Sequence, residues 1–365
     1  MERMVARRLF LAAMGGAAYA ADAHSAPSVR QRFLDSATEF EFQRYTEPGF
    51  ASELPRSNAI AFSRRGRFLL YTSSRGGAAH AWAMDLRSSE HRQLSEGEPI
   101  DAASLTLTPD ERNVLYISKN ELWMTPTSGL KPRSLFTSEA GVLPGAGVAA
   151  IPDGPSAIVV EQREGGSLLR RVPLAKGTAA VLGEFPLPVL DPMPRPRRAS
   201  LAVRDAEGGL WLAFLDGAKP RKLKTEPGKL LAAEWSRDGR TLVYLLDPLT
   251  VGKANVLREL NPDTGEDTLL SVTSQFASFS ANSDGSVIVG ASRGKAQPYI
   301  LLLVRSVKRE LTICEHRSSD AAAVKPRFTP DSQRIYFQSD REGKPVLYGM
   351  AVDKLVEKTE EEAER

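Results

Sequence analysis

Short apolar segments alternate with polar turns along most of the chain. An apolar strand ends in a turn such as Pro-Asp or Asp-Gly, and a second strand rich in Leu, Val, Ile and Tyr follows at once. A Ser/Asp-Arg-x-Gly turn, a third strand and a fourth strand ending in basic-x-Leu complete the unit. Gly, Asp and Pro suit tight turns, whereas β-branched and aromatic residues suit buried strands. The pattern therefore predicts four short strands per unit.

The unit returns at a nearly constant spacing. Its clearest copies span residues 58–95 and 328–348. The residue that ends the first turn of each copy is Gly66, Glu111, Gly154, Gly239, Gly285 or Ser332. The steps between these positions are 45, 43, 85, 46 and 47 residues, and the step of 85 places a degenerate copy near residue 197. Seven units of this size predict an all-β fold, a seven-bladed β-propeller in a single domain.

The last unit has three clear strands before the chain becomes rich in Lys and Glu. Residues 39–46 alternate between apolar and polar side chains in the same way as the strands of the repeats. We expect this N-terminal strand to enter the last blade and close the ring, which removes an open sheet edge. The predicted propeller spans residues 37–353, and residues 354–365 form a charged C-terminal tail.

Residues 1–26 have the features of a cleaved signal peptide. Arg7 and Arg8 precede a short apolar run, and residues 18–20 form a small-x-small cleavage pattern. Residues 7–11 also fit the twin-arginine export pattern. Cleavage after Ala20 or after Ala26 is compatible with the sequence, and either predicts a periplasmic or secreted protein.

Composition and charge narrow the candidate functions. The formal net charge of +3 falls to +1 when residues 1–20 are removed, so we expect no nucleic-acid partner. No later segment has a long uncharged apolar run, so we expect no membrane insertion, and we expect a monomer. The single cysteine, Cys314, excludes an intrachain disulfide and a cysteine-based metal site.

The turns and strands resemble the propeller repeats of the TolB-like group, a WD40-like repeat also called PD40. Two stretches, residues 67–94 and 314–331, are more narrowly similar to the oligogalacturonate lyase family of seven-bladed propellers. That resemblance implies metal-assisted β-elimination on uronic acid sugars. A divalent ion, typically manganese, would acidify the C5 proton beside the carboxylate, and a histidine would remove that proton.

The second stretch departs from the pattern of that family. The family has a glutamine and then a His-Pro-His run before a Phe-Thr-Pro-Asp turn, and here the corresponding positions are Asp320, Ala323 and Lys325. A further family histidine falls near Ser278. We therefore predict no metal site and no cofactor. Mn²⁺ or another divalent cation would be needed only if lyase chemistry is retained.

Four residues are candidates for a site. His316 matches the family pattern before the last blade and is the candidate catalytic residue; its alternative role is a strand-end histidine bonded to a backbone carbonyl. Lys325 and Arg327 begin a predicted innermost strand, where propellers line their central funnel. With Arg317, and with Arg56 as a further cation, they could bind a carboxylated sugar without metal, or be ordinary solvated charges.

Three functions follow from these observations. The first is a non-catalytic binding protein for an acidic oligosaccharide or a protein partner. The second is a divergent lyase that cleaves uronate oligosaccharides by β-elimination. The third is a structural partner of an envelope protein, as TolB-like propellers can be.

Overall fold

A computed structural model describes residues 25–129, 131–152, 154–294 and 298–353. Most of the predicted signal peptide (residues 1–24) and the predicted C-terminal tail (residues 354–365) lie outside these ranges, and both stay predictions. Within the described ranges, thirty β-strands are joined by turns and by two short 3₁₀ helices, Ala102–Ser104 and Ala322–Val324. No helix in these ranges is long and apolar enough to cross a membrane.

The strands form seven antiparallel sheets in the described part of the chain, which are the seven predicted blades. Blade one contains β4 (Ser52–Glu53), β5 (Phe68–Ser73), β6 (His80–Asp85) and β7 (His91–Gln93). Blade two contains β8 (Thr106–Leu107), β9 (Asn113–Ser118), β10 (Glu121–Pro126) and β11 (Arg133–Thr137). Blade three contains β12 (Ala149–Ala150), β13 (Ser156–Arg163), β14 (Gly166–Pro173) and β15 (Ala180–Phe185).

The remaining blades continue the same order from an inner strand outwards. Blade four contains β16 (Val189–Pro194), β17 (Ser200–Asp205), β18 (Leu210–Phe214) and β19 (Arg221–Lys222). Blade five contains β20 (Lys229–Trp235), β21 (Leu242–Asp247), β22 (Val256–Leu260) and β23 (Asp267–Val272). Blade six contains β24 (Phe276–Ala281), β25 (Val287–Ser292), β26 (Tyr299–Val304) and β27 (Arg309–Glu315). Blade seven contributes β28 (Arg327–Phe328), β29 (Arg334–Ser339) and β30 (Val346–Ala351).

The N-terminal segment closes the ring, as predicted. Strand β3 (Glu41–Arg44) pairs with β30 and supplies the fourth strand of blade seven, with Gln43 opposite Gly349. The sheets also begin earlier than the predicted boundary at residue 37. Strand β2 (Gln31–Leu34) pairs with β3, and β1 (Ser25–Ala26) pairs with β7 of blade one. These two extended segments cover the outer edges of the first and last blades.

The recurring turns are held by side chains that the repeat supplies. Thr329 Oγ1 donates to Asp331 and accepts the Arg334 N–H at 3.1 Å, and Thr108 makes the same contacts in blade two. Gly239 has a φ of +69°, and a Cβ there would lie 2.1 Å from the Pro196 carbonyl oxygen. This turn therefore requires glycine both for its backbone conformation and for its contact with blade four.

The apolar side chains pack mainly between neighbouring blades. Phe42, Val289, Phe337 and others join blades six and seven in one cluster, and Trp82 and Tyr336 belong to the cluster that joins blades one and seven. Because these faces are filled by apolar packing, the polar side chains of the inner strands lie around the central axis.

Candidate functional site

Two cavities lie along the axis, between the inner strands. The first, of about 290 Å³, lies near the beginnings of β20 and β24, and we call it the basic cavity; its lining includes Arg56, Asp191, Arg204, Ser278 and Lys325. The second, of about 390 Å³, lies near the ends of the same strands, and we call it the mixed cavity; its lining includes Glu234, Trp235, Phe279, Arg327 and Phe328. Ser57 lines both cavities.

Asp191 binds two guanidinium groups in the basic cavity. Its Oδ2 accepts from Nε of Arg204 at 2.7 Å and also contacts Nη2, while its Oδ1 contacts Nη1 of Arg56. Asp191 has a φ of +54° and lies where the register of β16 against β17 shifts. Aspartate tolerates this left-handed conformation better than most residues. The irregular backbone of β16 thus places one carboxylate between cations from two blades.

Lys325 is the third cation of the basic cavity. It follows the 3₁₀ helix Ala322–Val324 with a φ of +47°, and its Nζ donates to the Leu54 carbonyl at 2.8 Å. Burial lowers the pKa of Lys325 to about 8; Glu53 opposes this shift, and Arg327 and Arg56 add to it. The side chain is therefore a desolvated ammonium group beside other cations.

The positive charges of the basic cavity exceed the carboxylates that contact them. Among the described residues, Asp191 is the one carboxylate in ion-pair contact with Arg56, Arg204 or Lys325. Asp101 influences Arg56 and Lys325, but its two oxygens accept the backbone N–H groups of Ala103 and Gly145. Burial lowers the pKa of Arg56 to about 10, and Arg204 is the next largest cause. A bound anion would relieve this repulsion.

The structure places Lys325 and Arg327 at the axis, as the sequence predicted, but in different cavities. Lys325 lines the basic cavity, whereas Arg327 lines the mixed cavity and donates through Nη2 to the carbonyls of Pro55 and Arg56. Arg317 does not join them. Its side chain is 54% exposed, pairs with Glu315 and donates to Ser36. Arg317 lines neither cavity, because β27 ends there against the N-terminal segment.

His316 has the structural role that the sequence left as its alternative. The ring is 1% exposed; Nδ1 accepts the Ser318 N–H at 3.0 Å, so Nε2 carries the proton and donates to the Ser292 carbonyl at 2.8 Å. Burial lowers its pKa, which favours this neutral ring. Both nitrogens are occupied and the residue lines neither cavity. The geometry therefore gives no support to His316 as a catalytic base.

Sequence reasoning missed Asp191 and Arg204. Arg204 lies in β17, where the three residues before it are apolar and buried, and Asp191 interrupts an inner strand of the most degenerate repeat. A charged residue inside an otherwise buried strand was the available signal, because such a residue requires a partner.

The positions that correspond to the metal ligands of the lyase family do not fit a metal ion. Ser278 donates its hydroxyl proton to the Ala321 carbonyl, and exposed Asp320 accepts the Ala322 N–H. Ala323 has no donor atom, and Lys325 places an ammonium group there instead. No cluster of three or more His, Cys, Asp or Glu side chains in the described ranges could hold a metal ion. A divalent cation at this place would meet positive charge.

Comparisons with known proteins agree with this fold. No protein-family model matches the chain. The chain is 22% identical to an oligogalacturonide lyase of Pectobacterium atrosepticum over 373 residues, which cover 88% of this chain and 96% of that protein. It is 22% identical to an oligogalacturonate lyase of Dickeya dadantii over 379 residues, covering 87% and 94% of the two chains.

A solved structure extends the comparison to three dimensions. The chain matches an oligogalacturonate lyase in complex with manganese with a TM-score of 0.82 and 22% identity, covering 90% of this chain and 97% of the other. The predicted resemblance is thus confirmed for the fold, while the basic cavity lacks residues that fit manganese.

Proposed function

We propose that this propeller binds the carboxylate groups of an acidic oligosaccharide in the basic cavity, without a metal ion. The observation that carries the proposal is that Arg56, Arg204 and Lys325 line one cavity in which a single carboxylate, Asp191, contacts two of these cations. Guanidinium and ammonium groups form charge-assisted hydrogen bonds with carboxylates, and these bonds are stronger in a desolvated cavity.

The class of ligand follows from the charge and from the relatives. An anion that enters the cavity meets Lys325, whose Nζ has one hydrogen bond, to Leu54, among the described residues. An ammonium group has three donors, so two stay available for a ligand. The chains that this protein is similar to are named as lyases of oligogalacturonate, a polymer of sugars that each carry one carboxylate. A galacturonate oligomer is therefore the first ligand to test.

The binding experiment is a calorimetric titration of the full chain with trigalacturonate. We expect saturable one-to-one binding that weakens as salt is raised, because screening reduces the attraction between charges. We also expect the same affinity with and without a chelator, because the cavity does not fit a metal ion. Absence of binding at low salt, or binding that requires added Mn²⁺, would contradict the proposal.

A second candidate is a lyase that works without the metal site. It is favoured by the lowered pKa of Lys325, about 8, which leaves part of the population neutral and able to accept a proton. Arg56 and Arg204 would hold the sugar carboxylate, Nζ of Lys325 would take the C5 proton, and a C4–C5 double bond would form as the C4–O bond breaks. The leaving oxygen would take a proton from water.

The two candidates are separated by the ultraviolet absorbance of the unsaturated product. Binding of trigalacturonate with no rise in absorbance, with or without Mn²⁺, supports a binding protein. A rise that disappears in Lys325→Arg, which keeps the positive charge but does not give up its proton, supports the lyase.

A further inference from the structure

The mixed cavity, at the end of the axis away from Asp191, has the features of a second binding site. Its walls combine apolar side chains with a partly exposed acid whose carboxyl group is desolvated, and with a buried base. The apolar lining includes Ile60, Phe62, Phe279, Ile288 and Phe328. The charged side chains of the lining are Glu234, Arg327, Arg305, Arg237 and Asp284; Arg305 pairs with Glu259, and Arg237 and Asp284 are exposed. A volume of about 390 Å³ lies within the range of small-molecule sites, about 300–1,000 Å³.

Glu234 and Arg327 influence each other but do not touch. Each is the opposite charge with the largest influence on the pKa of the other, yet no nitrogen–oxygen pair between the two side chains lies within 4.0 Å. Glu234 accepts the Ala281 N–H at 3.0 Å. Arg327 is 5% exposed and donates through Nη2, while Nη1 has no hydrogen bond to any described residue. The guanidinium group therefore retains donor capacity beside the cavity.

A buried carboxylate and a buried guanidinium held apart are costly unless a polar group lies between them. A ligand ammonium would be repelled by Arg327, and a ligand carboxylate would be repelled by Glu234. A hydroxyl group suits both, because its proton is donated to the carboxylate and its oxygen accepts from the guanidinium.

We infer that the mixed cavity binds an uncharged polyhydroxylated ring of the size of one sugar unit, with a hydroxyl group bridging Glu234 and Arg327. The apolar face of such a ring would pack on Phe279 and Phe328. Burial raises the pKa of Glu234 to about 7, which is consistent with a carboxyl group that lacks a contacting counterion. This inference goes beyond the proposed function because it concerns a different cavity and a neutral ligand.

Trp235 provides a probe inside this cavity. It lines the cavity, and the chain contains four tryptophans. We would incorporate 5-fluorotryptophan into the full chain and assign the ¹⁹F resonance of Trp235 by its loss in Trp235→Phe. Titration with D-galactose should shift that resonance in a saturable way and leave the other three in place. If the Trp235 resonance does not move at the highest galactose concentration, galactose does not enter the cavity and the inference is overturned.

Two controls test the bridging hydroxyl. Tetrahydropyran has the ring without hydroxyl groups and should produce no saturable shift; if it binds as well as galactose, the apolar walls alone account for binding and the inference fails. Glu234→Gln should weaken galactose binding about tenfold, since it loses a charge-assisted hydrogen bond. Arg317→Met, at the surface, should leave galactose binding within twofold of the unmodified chain, and a larger loss would place the galactose outside the mixed cavity.

Discussion

The two ends of the axis use the same scaffold for different electrostatic arrangements. In the basic cavity three cations line the walls and one carboxylate contacts two of them, whereas in the mixed cavity Glu234 and Arg327 do not contact each other. Lys325 and Arg327 are two residues apart, yet they line different cavities. The comparison teaches that one short segment at the start of an inner strand can line cavities at both ends of the axis, and that the two cavities differ in their balance of charge.

The largest expected effect is on stability, from Asp191→Asn. Asparagine tolerates the left-handed backbone at this position, so the change removes mainly the charge that Arg56 and Arg204 share. Breaking a largely buried ion pair leaves cations without a partner. We expect the free energy of unfolding to fall by about 2–3 kcal/mol in urea denaturation, with part of the loss recovered in sulfate.

Glu184→Gln is the matched control for that loss. Glu184 pairs with Arg163 at 2.7 Å, but both side chains are at least half exposed. The free energy of unfolding should change by less than about 0.5 kcal/mol. Equal losses of the free energy of unfolding in the two variants would mean that the ion pairs of Asp191 stabilise the fold no more than an exposed ion pair does.

The next effect is on ligand affinity, from Lys325→Met compared with Arg317→Met. Lys325 lines the basic cavity, while Arg317 lies at the surface beside Glu315. Loss of one charge-assisted contact should weaken trigalacturonate binding about tenfold in Lys325→Met. Arg317→Met should bind as the unmodified chain does in the same calorimetric titration, and a comparable loss there would place the ligand elsewhere.

The pH dependence of acidic-ligand binding tests the role of Lys325 in the basic cavity. Because the pKa of Lys325 is lowered to about 8, its ammonium group is present at pH 7 and is lost as the pH rises through that value. The ligand carboxylate stays ionised throughout, so affinity should fall several-fold between pH 7 and pH 9.5. Lys325→Arg keeps its charge in this range, so only the smaller decrease from Arg56, whose pKa is lowered to about 10, should remain. If the affinity of the unmodified chain does not change between pH 7 and pH 9.5, the ammonium group of Lys325 does not contribute to ligand binding.

The last effect concerns the contribution of the mixed cavity to stability. The folded-state pKa of Glu234 is raised to about 7, so folding favours its protonated form, and this contribution is lost as the pH rises through 7. Glu234→Gln should therefore be more stable than the unmodified chain at pH 8, by about 1–2 kcal/mol, and not at pH 5. Thermal unfolding at the two pH values measures this difference. The same difference at both values would show that Glu234 does not titrate in this range.

The fold could be predicted from the sequence because its repeats are local. Each turn needs its own Gly, Asp or Pro, as at Gly239, and the spacing of those turns counts the blades. The strand that closes blade seven was also predictable, since residues 39–46 alternate like the missing strand. The outer strands β1 and β2 were not, because edge strands of two to four residues carry little pattern.

The candidate site was only partly predictable because it depends on contacts between blades. Lys325 and Arg327 were found from their place at the start of an inner strand. The sequence left the role of His316 open between catalysis and structure, since its backbone partners Ser292 and Ser318 are not visible in a motif. Asp191 was missed because an irregular strand brings it to Arg56, more than a hundred residues earlier in the chain.

The most direct test of the central claim is a comparison of two ligands on two proteins. Trigalacturonate and its carboxyl-reduced counterpart would each be titrated into the unmodified chain and into Lys325→Met. The account predicts that the unmodified chain prefers the acidic ligand and that most of this preference disappears in the variant. Equal affinity of the unmodified chain for both ligands would contradict recognition of carboxylates by the basic cavity.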